Sequence, residues 1–236
     1  QTRFGLCRPV APKAPRLPRH VNSAEAARAL VGELRGRAPT RVERIVGGRT
    51  NDMFRVVDGE GVAVLVRVYG GGEDLGIDRA LEGATFEAAG RHLGRPRCLG
   101  HFANGRMEEF LEGHRNTTYE DVSNPTVYRE IARAVATLHT FVPPPELCGG
   151  CGHDLDAPGL WPTLRGWLAA SATDATATAI SRDADDAKLW SECACFRDFD
   201  AFAKVIDAAE ARLAGDDLDA SLVFAHNDLT LDNVMV

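Results

Sequence analysis

The last polar loop of the sequence holds the residues whose types and spacing best suit catalysis. His226, Asp228, Asp232 and Asn233 lie between two apolar segments, SLVFA and VMV, that are predicted to be strands. Transfer of a phosphoryl group to a hydroxyl needs a carboxylate that accepts the hydroxyl proton, and oxygen ligands that hold Mg²⁺. One short loop would present Asp228 and Asn233 together to the same phosphate. The alternative is an ordinary polar hairpin, because Asp and Asn are frequent turn residues.

The spacing of this loop, H-x-D-x-x-x-x-N, resembles the catalytic loop of protein kinases, with their arginine replaced by Asn227. In that comparison Asp228 would be the base and Asn233 the metal ligand. His226 is expected to brace the loop by hydrogen bonding, because phosphoryl transfer does not require imidazole chemistry. The loop therefore predicts phosphoryl transfer that depends on Mg²⁺.

Arg67 is a candidate for the cation that would hold phosphate. The chain has three lysines against 24 arginines, and none of the lysines lies between residues 14 and 187. Arg67 lies in the valine-rich segment VAVLVRVY, where alternate side chains would face opposite sides of a strand. An arginine there must face a polar environment, and its planar fork suits phosphate oxygens. A surface arginine on an edge strand is the alternative.

Five of the chain's metal-binding side chains could form a zinc site. Cys148 and Cys151 with His153, together with Cys193 and Cys195, offer enough ligands for tetrahedral coordination. The last two, however, lie in a predicted helix beside aromatic residues, where buried free cysteine is common. Reduced thiols in a cytosolic protein are the alternative.

The elements that must position these residues begin with a small sheet. Amphipathic helices are predicted over residues 22–37, with Asn22 or Ser23 as the cap, and over residues 77–92. The predicted buried stripe of the second helix is Ile77, Leu81, Ala84 and Thr85. The predicted strands, in chain order, are RVERIVGG, MFRVV, VAVLVRVY, RCLGHF and RMEEFL. This order predicts an antiparallel sheet with one helix packed on it.

Beyond the sheet the sequence becomes mainly helical. A strong helix is predicted from Asn124-Pro125 through Phe141. Its predicted buried face consists of Val127, Ile131, Val135 and Leu138. Residues 142–188 lack periodicity and are predicted to be a flexible insertion, and a long helix is predicted over residues 189–214.

Four segments together resemble the choline and ethanolamine kinases. VFAHNDLTLDN is similar to the family's catalytic run, and IVGGRTNDMF to its glycine turn. VLVRVYGG is similar to its third strand, with Arg in place of the protein-kinase lysine, and GRMEEFLEG to its hinge strand. The resemblance covers about residues 40–141 and 189–236. It implies an α+β, protein-kinase-like fold of two lobes, with an antiparallel sheet and a helix in the first and mainly helices in the second, which is incomplete.

The resemblance also implies domain limits and roles. Residues 1–21 would be a disordered basic tail, residues 22–111 the ATP-binding lobe and residues 112–236 the start of the catalytic lobe. Glu82 would orient Arg67, as the corresponding helix glutamate does in protein kinases. The implied catalytic residues are Asp228, His226, Arg67 and Glu82. The implied ATP-binding residues are Gly47, Gly48, Thr50, Asn51, Arg67, Glu109 and Leu111, with Asn233 as the Mg²⁺ ligand.

The activity implied by the family is ATP- and Mg²⁺-dependent phosphorylation of ethanolamine, because IDRALEGATF and GRTN are more similar to the ethanolamine branch. Choline is the close alternative. An aminoglycoside-type phosphotransferase and a non-catalytic nucleotide-binding protein are the others. The sequence stops at Val236, before the family's second metal-binding carboxylate. The chain is therefore expected to be C-terminally truncated and inactive or nearly so.

Composition limits the classes of partner. The formal net charge is −7 although residues 1–20 hold five basic and no acidic residues, so the remainder is strongly acidic. Such a surface repels nucleic acid and suits a cationic substrate such as an amino alcohol.

Prolines at every third position make the first 21 residues a candidate ligand for a proline-binding domain, although a disordered or targeting tail is the preferred interpretation. No apolar run is long enough to span a membrane, and a cytoplasmic protein is expected, with a homodimer as one allowed assembly.

Overall fold

The computed structural model of the chain describes residues 13–45, 51–70, 78–144, 147, 157–172, 188, 198–215 and 222–236. The chain divides into two compact units. The first comprises residues 1–72, 78–147 and 223–236, and the second comprises residues 73–77 and 148–222. Helices accompany a single sheet in the described residues, which confirms the predicted α+β class.

Six strands form the sheet of the first unit. They are β1 (Arg16–Leu17), β2 (Arg41–Ile45), β3 (Asn51–Val57), β4 (Ala63–Tyr69), β5 (Cys98–Phe102) and β6 (Gly105–Glu109). Their order across the sheet is β1-β5-β6-β4-β3-β2. All pairs are antiparallel except β1 with β5, which is parallel. The five strands predicted from sequence are therefore present, and β1 adds a sixth at one edge.

Four α-helices lie in the described part of the first unit. They are α1 (Ala24–Arg35), α2 (Arg79–Leu93), α3 (Tyr119–Ser123) and α4 (Pro125–His139). All but α3, which was not predicted, begin and end near the predicted signals. Ser23 caps α1 by accepting a hydrogen bond from the backbone N–H of Ala26, and Gly36 ends it with a left-handed φ of 66°. Asp78 caps α2 in the same way through Leu81, and a 3₁₀ turn spans Leu231–Asn233.

The core lies on one face of the sheet, under α1. Alternate residues of β4 point to this face, so Val64 and Val66 are fully buried there with Met107 of β6. The other members of this cluster are Val21, Ala27, Leu30, Val31, Phe54, Val56, Val68 and Phe102. Each buried Val or Leu side chain contributes about 1.5–3 kcal/mol. The opposite face of β4 is left to Leu65, Arg67 and Tyr69.

Residues 13–21 are ordered along the sheet edge, which corrects their prediction as part of a disordered tail. The backbone N–H of His101 donates to Pro15 O at 2.8 Å, and that of Ala103 donates to Arg19 O at 2.8 Å. Val21 is 1% exposed and exchanges two hydrogen bonds with the Asn104 side chain. Backbone pairing to a distant strand holds the segment, and composition does not reveal such pairing. Residues 1–12 lie outside the described part.

Helix α2 packs through small residues, which differs from the predicted stripe. Leu81, Ala84 and Thr85 are only half-buried, and Ile77 lies outside the described residues. The buried positions are Gly83, Glu87, Ala88 and Gly90. A methyl group on Gly90 would lie 2.6 Å from the carbonyl oxygen of Pro96, so the helix approaches the chain closely there.

The predicted inward face of α4 is half-buried at all four positions, Val127, Ile131, Val135 and Leu138. The strand predicted at SLVFA is absent from residues 222–225, which have no regular secondary structure. Phe224 instead packs edge-on against Phe141, with ring centroids 5.0 Å apart.

The described part of the second unit contains two helices, α5 (Leu160–Ser171) and α6 (Phe199–Gly215). Helix α5 corrects the prediction that all of residues 142–188 form a flexible insertion. Its Trp161 is buried, and Arg165 donates to Asp207 and Glu210 of α6, so apolar packing and ion pairs hold it. Among the described residues, no helix is long and apolar enough to cross a bilayer.

Candidate active site

The terminal loop, residues 226–233, brings its polar side chains within hydrogen-bonding distance. The side-chain Nδ2 of Asn233 donates to the backbone oxygen of Asp228 at 2.8 Å and to its carboxylate Oδ2 at 2.9 Å. The backbone N–H of Asp228 points to Nδ1 of His226 at 3.3 Å. Asn227 between them adopts a φ of 61°, a left-handed conformation that Asn tolerates better than most residues. His226 therefore contacts the backbone of the loop.

The segment that follows β6 anchors this loop. Thr117 donates its backbone N–H to Val234 O at 2.9 Å and its hydroxyl to Leu231 O at 2.9 Å. Arg115 and Val236 exchange two backbone hydrogen bonds, each 2.9 Å long. Thr117 is buried, whereas Asp228 and Asn233 are exposed. A buried attachment thus holds an exposed pair of functional groups.

The remaining oxygens of this pair suit a base and a metal ligand. Within the part of the chain that the structure describes, no hydrogen bond reaches Oδ1 of Asp228 or Oδ1 of Asn233. A carboxylate oxygen and an amide oxygen are hard donors of the kind that Mg²⁺ accepts. The loop geometry is therefore compatible with the predicted roles of both residues.

Arg67 on β4 is held by Glu108 of β6. Its Nε donates to Oε1 of Glu108 at 2.6 Å, and its Nη2 lies 3.4 Å from Oε2. Arg67 pairs in register with Arg106, and Leu65 pairs with Glu108, so the contact runs diagonally between neighbouring strands. The Arg67 side chain is 24% exposed and that of Glu108 only 4%, which places a partly accessible cation on a buried carboxylate.

Glu82 does not contact Arg67 directly, contrary to the predicted pairing. Its carboxylate accepts from Arg106 at 2.8 Å and from Arg79 at 2.7 Å. Arg106 also donates to Glu108 at 2.9 Å, so among the described residues Glu82 and Arg67 are linked through Arg106 and Glu108. The reason is the register, because it places Arg106 of β6 between Arg67 and α2. We call these five residues the charge network.

The surroundings of Glu82 and Arg106 favour the ionised forms of these two side chains. Burial opposes ionisation of Glu82, but hydrogen bonds from Arg106 and Arg79 hold its pKa below the ordinary value. Burial also opposes the charge of Arg106, yet Glu108 and the neighbouring polar groups raise its pKa. The Arg106 guanidinium additionally lies 4.3 Å from the centroid of the Phe86 ring.

Arg106 and Glu108 are functional candidates that the sequence reasoning missed. Alternation in RMEEFL could have placed them on one face of a strand. Their meeting with Arg67, however, depends on the β4–β6 register, which requires the structure.

The other predicted ATP-binding residues are located as follows. Gly47, Gly48 and Thr50 lie outside the described residues, and Asn51 begins β3 opposite Tyr69. Glu109 ends β6, where its backbone N–H donates to Arg97 O at 2.9 Å and its carboxylate pairs with Arg95. Leu111 follows β6 and is half-buried. The proposed zinc ligands Cys148, Cys151, His153, Cys193 and Cys195 also lie outside the described residues.

Comparisons with known proteins identify a family that the chain resembles. A family model described as "Choline/ethanolamine kinase" matches residues 42–236. The chain is 32% identical over 234 residues to "Probable choline kinase 2" of Arabidopsis thaliana, covering 94% of this chain and 57% of that protein. It is 28% identical over 203 residues to "Probable ethanolamine kinase A" of Dictyostelium discoideum, covering 82% and 51%. The chain thus spans about half the length of the curated relatives it matches.

A solved structure shares the fold. The chain matches "Plasmodium vivax ethanolamine kinase Pv091845" with a TM-score of 0.61 at 23% sequence identity. The match covers 83% of this chain and 52% of that one. At this level of identity the comparison establishes the kinase-like fold.

Proposed function

The chain belongs to the choline/ethanolamine kinase family, and from this premise we propose that the complete protein phosphorylates a small amino alcohol with ATP. Ethanolamine is the first candidate substrate and choline the second. The relatives carry both names, so the order rests on the ethanolamine-like segment IDRALEGATF. The proposal includes Mg²⁺ as cofactor, a cytoplasmic location and a homodimer as the assembly to test.

The observation that carries this proposal is the joint presentation of Asp228 and Asn233 by the terminal loop. Oδ1 of Asp228 is the oxygen that would accept the proton of the substrate hydroxyl as that oxygen attacks the γ-phosphorus. Oδ1 of Asn233 would be a Mg²⁺ ligand, while Nδ2 keeps the two side chains together. When bound, Mg²⁺ neutralises charge that develops on the phosphate oxygens.

Arg67 would bind phosphate oxygens of ATP. Glu108 accepts from its Nε and Nη2, and Nη1 donates no hydrogen bond to any of the described residues. A guanidinium fixed on one side by a carboxylate loses little side-chain freedom when its other side meets a ligand. Arg106 stabilises this arrangement, because it donates to Glu108 and is itself held by Glu82.

A substrate panel with ATP tests the proposal on the complete protein. Ethanolamine, choline and an aminoglycoside would be compared by kcat/KM, with Mg²⁺ present or removed by chelation. We expect turnover with an amino alcohol, highest for ethanolamine, and none without Mg²⁺. Higher turnover with the aminoglycoside would move the protein to that class of phosphotransferase. Nucleotide binding without transfer to any acceptor would favour the non-catalytic alternative.

The base assignment has a matched control within the same loop. Asp228→Asn should lower kcat by about 10²–10⁴-fold, the usual contribution of general base catalysis. Asp232→Asn removes an equally exposed carboxylate four positions later and should keep turnover within about twofold of wild type. Unchanged turnover in Asp228→Asn, or equal loss in both variants, would contradict the role of Asp228.

A further inference from the structure

Three potential metal ligands meet between helix α2 and strand β5, and none of them belongs to the charge network or to the terminal loop. Nε2 of His101 lies 2.9 Å from Oε2 of Glu87 and 3.5 Å from Sγ of Cys98. All three ligand atoms lie within 4.8 Å of one another. Glu87 and His101 are buried, and Cys98 is half-buried. Polar side chains replace apolar ones here at the contact between a helix and the sheet.

The three groups converge on a point and do not form a relay. In a nucleophilic relay the carboxylate contacts one ring nitrogen of the histidine and the thiol contacts the other. Here both Glu87 and Cys98 approach the same nitrogen, Nε2 of His101. Ligands that surround one cation have this arrangement. A carboxylate oxygen, an imidazole nitrogen and a sulfur together form a donor set that zinc accepts.

An irregularity in β5 makes this convergence possible. Cys98 and His101 are three positions apart, so a regular strand would point their side chains to opposite faces. The pairing between β5 and β6 shifts register between Cys98 and Gly100, which is a β-bulge or a related irregularity. The shift brings both side chains to the face that α2 covers. Bulges often redirect side chains near functional sites.

The surroundings orient the carboxylate of Glu87 as those of a metal ligand do. Its Oε1 accepts from the backbone N–H of Ala14 at 3.0 Å and from Arg91 at 2.5 Å. Oε2 is thereby directed to His101. Partners that fix the outer oxygen of a ligating carboxylate are a regular feature of metal centres.

We propose that Glu87, Cys98 and His101 bind one divalent cation of the zinc class. On binding, Cys98 loses its proton to solvent and the bound imidazole of His101 carries its single N–H proton on Nδ1, so that Sγ, Nε2 and a carboxylate oxygen each donate one electron pair to the metal. Zinc–ligand distances of about 2.0–2.3 Å fit within the spread of these atoms. The cation would join helix α2, which carries Glu87, to β5 and, through the bond from Ala14 to Glu87, to the segment of residues 13–21. This site is independent of the proposed kinase activity and shares no residue with the cysteines at 148, 151, 193 and 195.

Cobalt substitution tests the site directly. In a variant of the full chain with Cys7, Cys148, Cys151, Cys193 and Cys195 replaced by Ser, Cys98 is the sole thiol. Titration with Co²⁺ should produce a sulfur-to-cobalt charge-transfer absorption that saturates at one Co²⁺ per chain, and Zn²⁺ should displace it. Neither readout depends on enzymatic activity. Absence of this absorption in folded protein, judged by far-ultraviolet circular dichroism, would overturn the proposal.

Single substitutions in the same background identify the other ligands. Cys98→Ser should abolish the absorption, and His101→Gln or Glu87→Gln should weaken Co²⁺ affinity by more than about 10–100-fold, the loss seen when only outer partners are removed. His114→Gln is the matched control, since this histidine is exposed and lies outside the cluster. Binding that survives both Glu87→Gln and His101→Gln unchanged would show a different site and contradict the assignment. Because these replacements can weaken folding, each titration is accompanied by an unfolding curve.

Discussion

The charge network buries its central ion pair, Arg106 and Glu108, whereas the terminal loop leaves its functional pair in solvent. The Glu108 and Arg106 side chains are 4% and 7% exposed. Asp228 and Asn233 are exposed, and the buried hydroxyl of Thr117 attaches their loop. Both regions contain residues assigned to the same proposed reaction. They differ in how much of the fold depends on them.

The difference follows from the cost of an unpaired charge. In the charge network Arg106 and Glu108 are buried and paired with each other, so removal of one partner strands a buried charge. In the loop, water replaces any lost contact at little cost. A phosphate-binding cation is therefore expected to be fixed by the fold, and a base to be replaceable without damage to the fold. The same chemical change, carboxylate to amide, tests this in both regions.

The largest effect is expected at Glu108. Glu108→Gln should lower the free energy of unfolding by about 3–5 kcal/mol, because Arg67 and Arg106 lose their shared buried carboxylate. Urea denaturation followed by far-ultraviolet circular dichroism measures this change. Glu60→Gln is the control, since its ion pair with Arg37 is exposed, and it should cost less than about 1 kcal/mol. Equal losses of unfolding free energy in the two variants would show that burial does not determine how much these ion pairs stabilise the fold.

A smaller effect that depends on pH is expected at Glu82. Glu82→Gln should cost about 1.5–3 kcal/mol at neutral pH, near the lower limit because the side chain is 29% exposed. Hydrogen bonds from Arg106 and Arg79 depress the folded-state pKa despite burial, so the stabilisation is present above the unfolded pKa of about 4.3. It is lost as the pH falls through the folded pKa. The difference in the free energy of unfolding between wild type and Glu82→Gln should thus shrink below about pH 4. A difference independent of pH would contradict the ionic explanation.

An effect of about 1 kcal/mol is expected at the attachment of the loop. Thr117→Val keeps the shape of the side chain but removes the hydroxyl that donates to Leu231 O. Hydrogen exchange at the amides of residues 231–236 should accelerate, because the loop opens more often. Thr126→Val, at an exposed position of α4, should change neither measurement beyond about 0.5 kcal/mol. Unaltered exchange in Thr117→Val would show that the backbone hydrogen bonds between Arg115 and Val236 are enough to hold the loop.

Sequence reasoning predicted the elements that local signals define. The Ser23 cap, the turn between β3 and β4, and the Asn104-Gly105 turn follow from neighbouring residues, so each was found where the sequence placed it. The contact between Asp228 and Asn233 is also local, because five positions separate them.

The features that were missed depend on long-range register. Strand β1 has two residues and pairs with a strand more than 80 positions away, for which no side-chain pattern exists. Glu82 was assigned to Arg67 by analogy, and the β4–β6 register inserts Arg106 between them. The convergence of Cys98 with His101 requires the shift in β5, which the apolar pattern does not reveal.

The smallest effect on stability, paired with the largest on catalysis, is expected at Asp228. Asp228→Asn preserves the shape of the side chain, and Asn233 can still donate to the backbone oxygen of residue 228. Because the position is exposed, the free energy of unfolding should stay within about 0.5 kcal/mol of wild type. The kcat of the complete protein should nevertheless fall by about 10²–10⁴-fold. In Glu108→Gln the main effect should instead be on the free energy of unfolding. If Asp228→Asn destabilised the chain as much as Glu108→Gln does, the loop would be part of the structural framework and the contrast between the two regions would not hold.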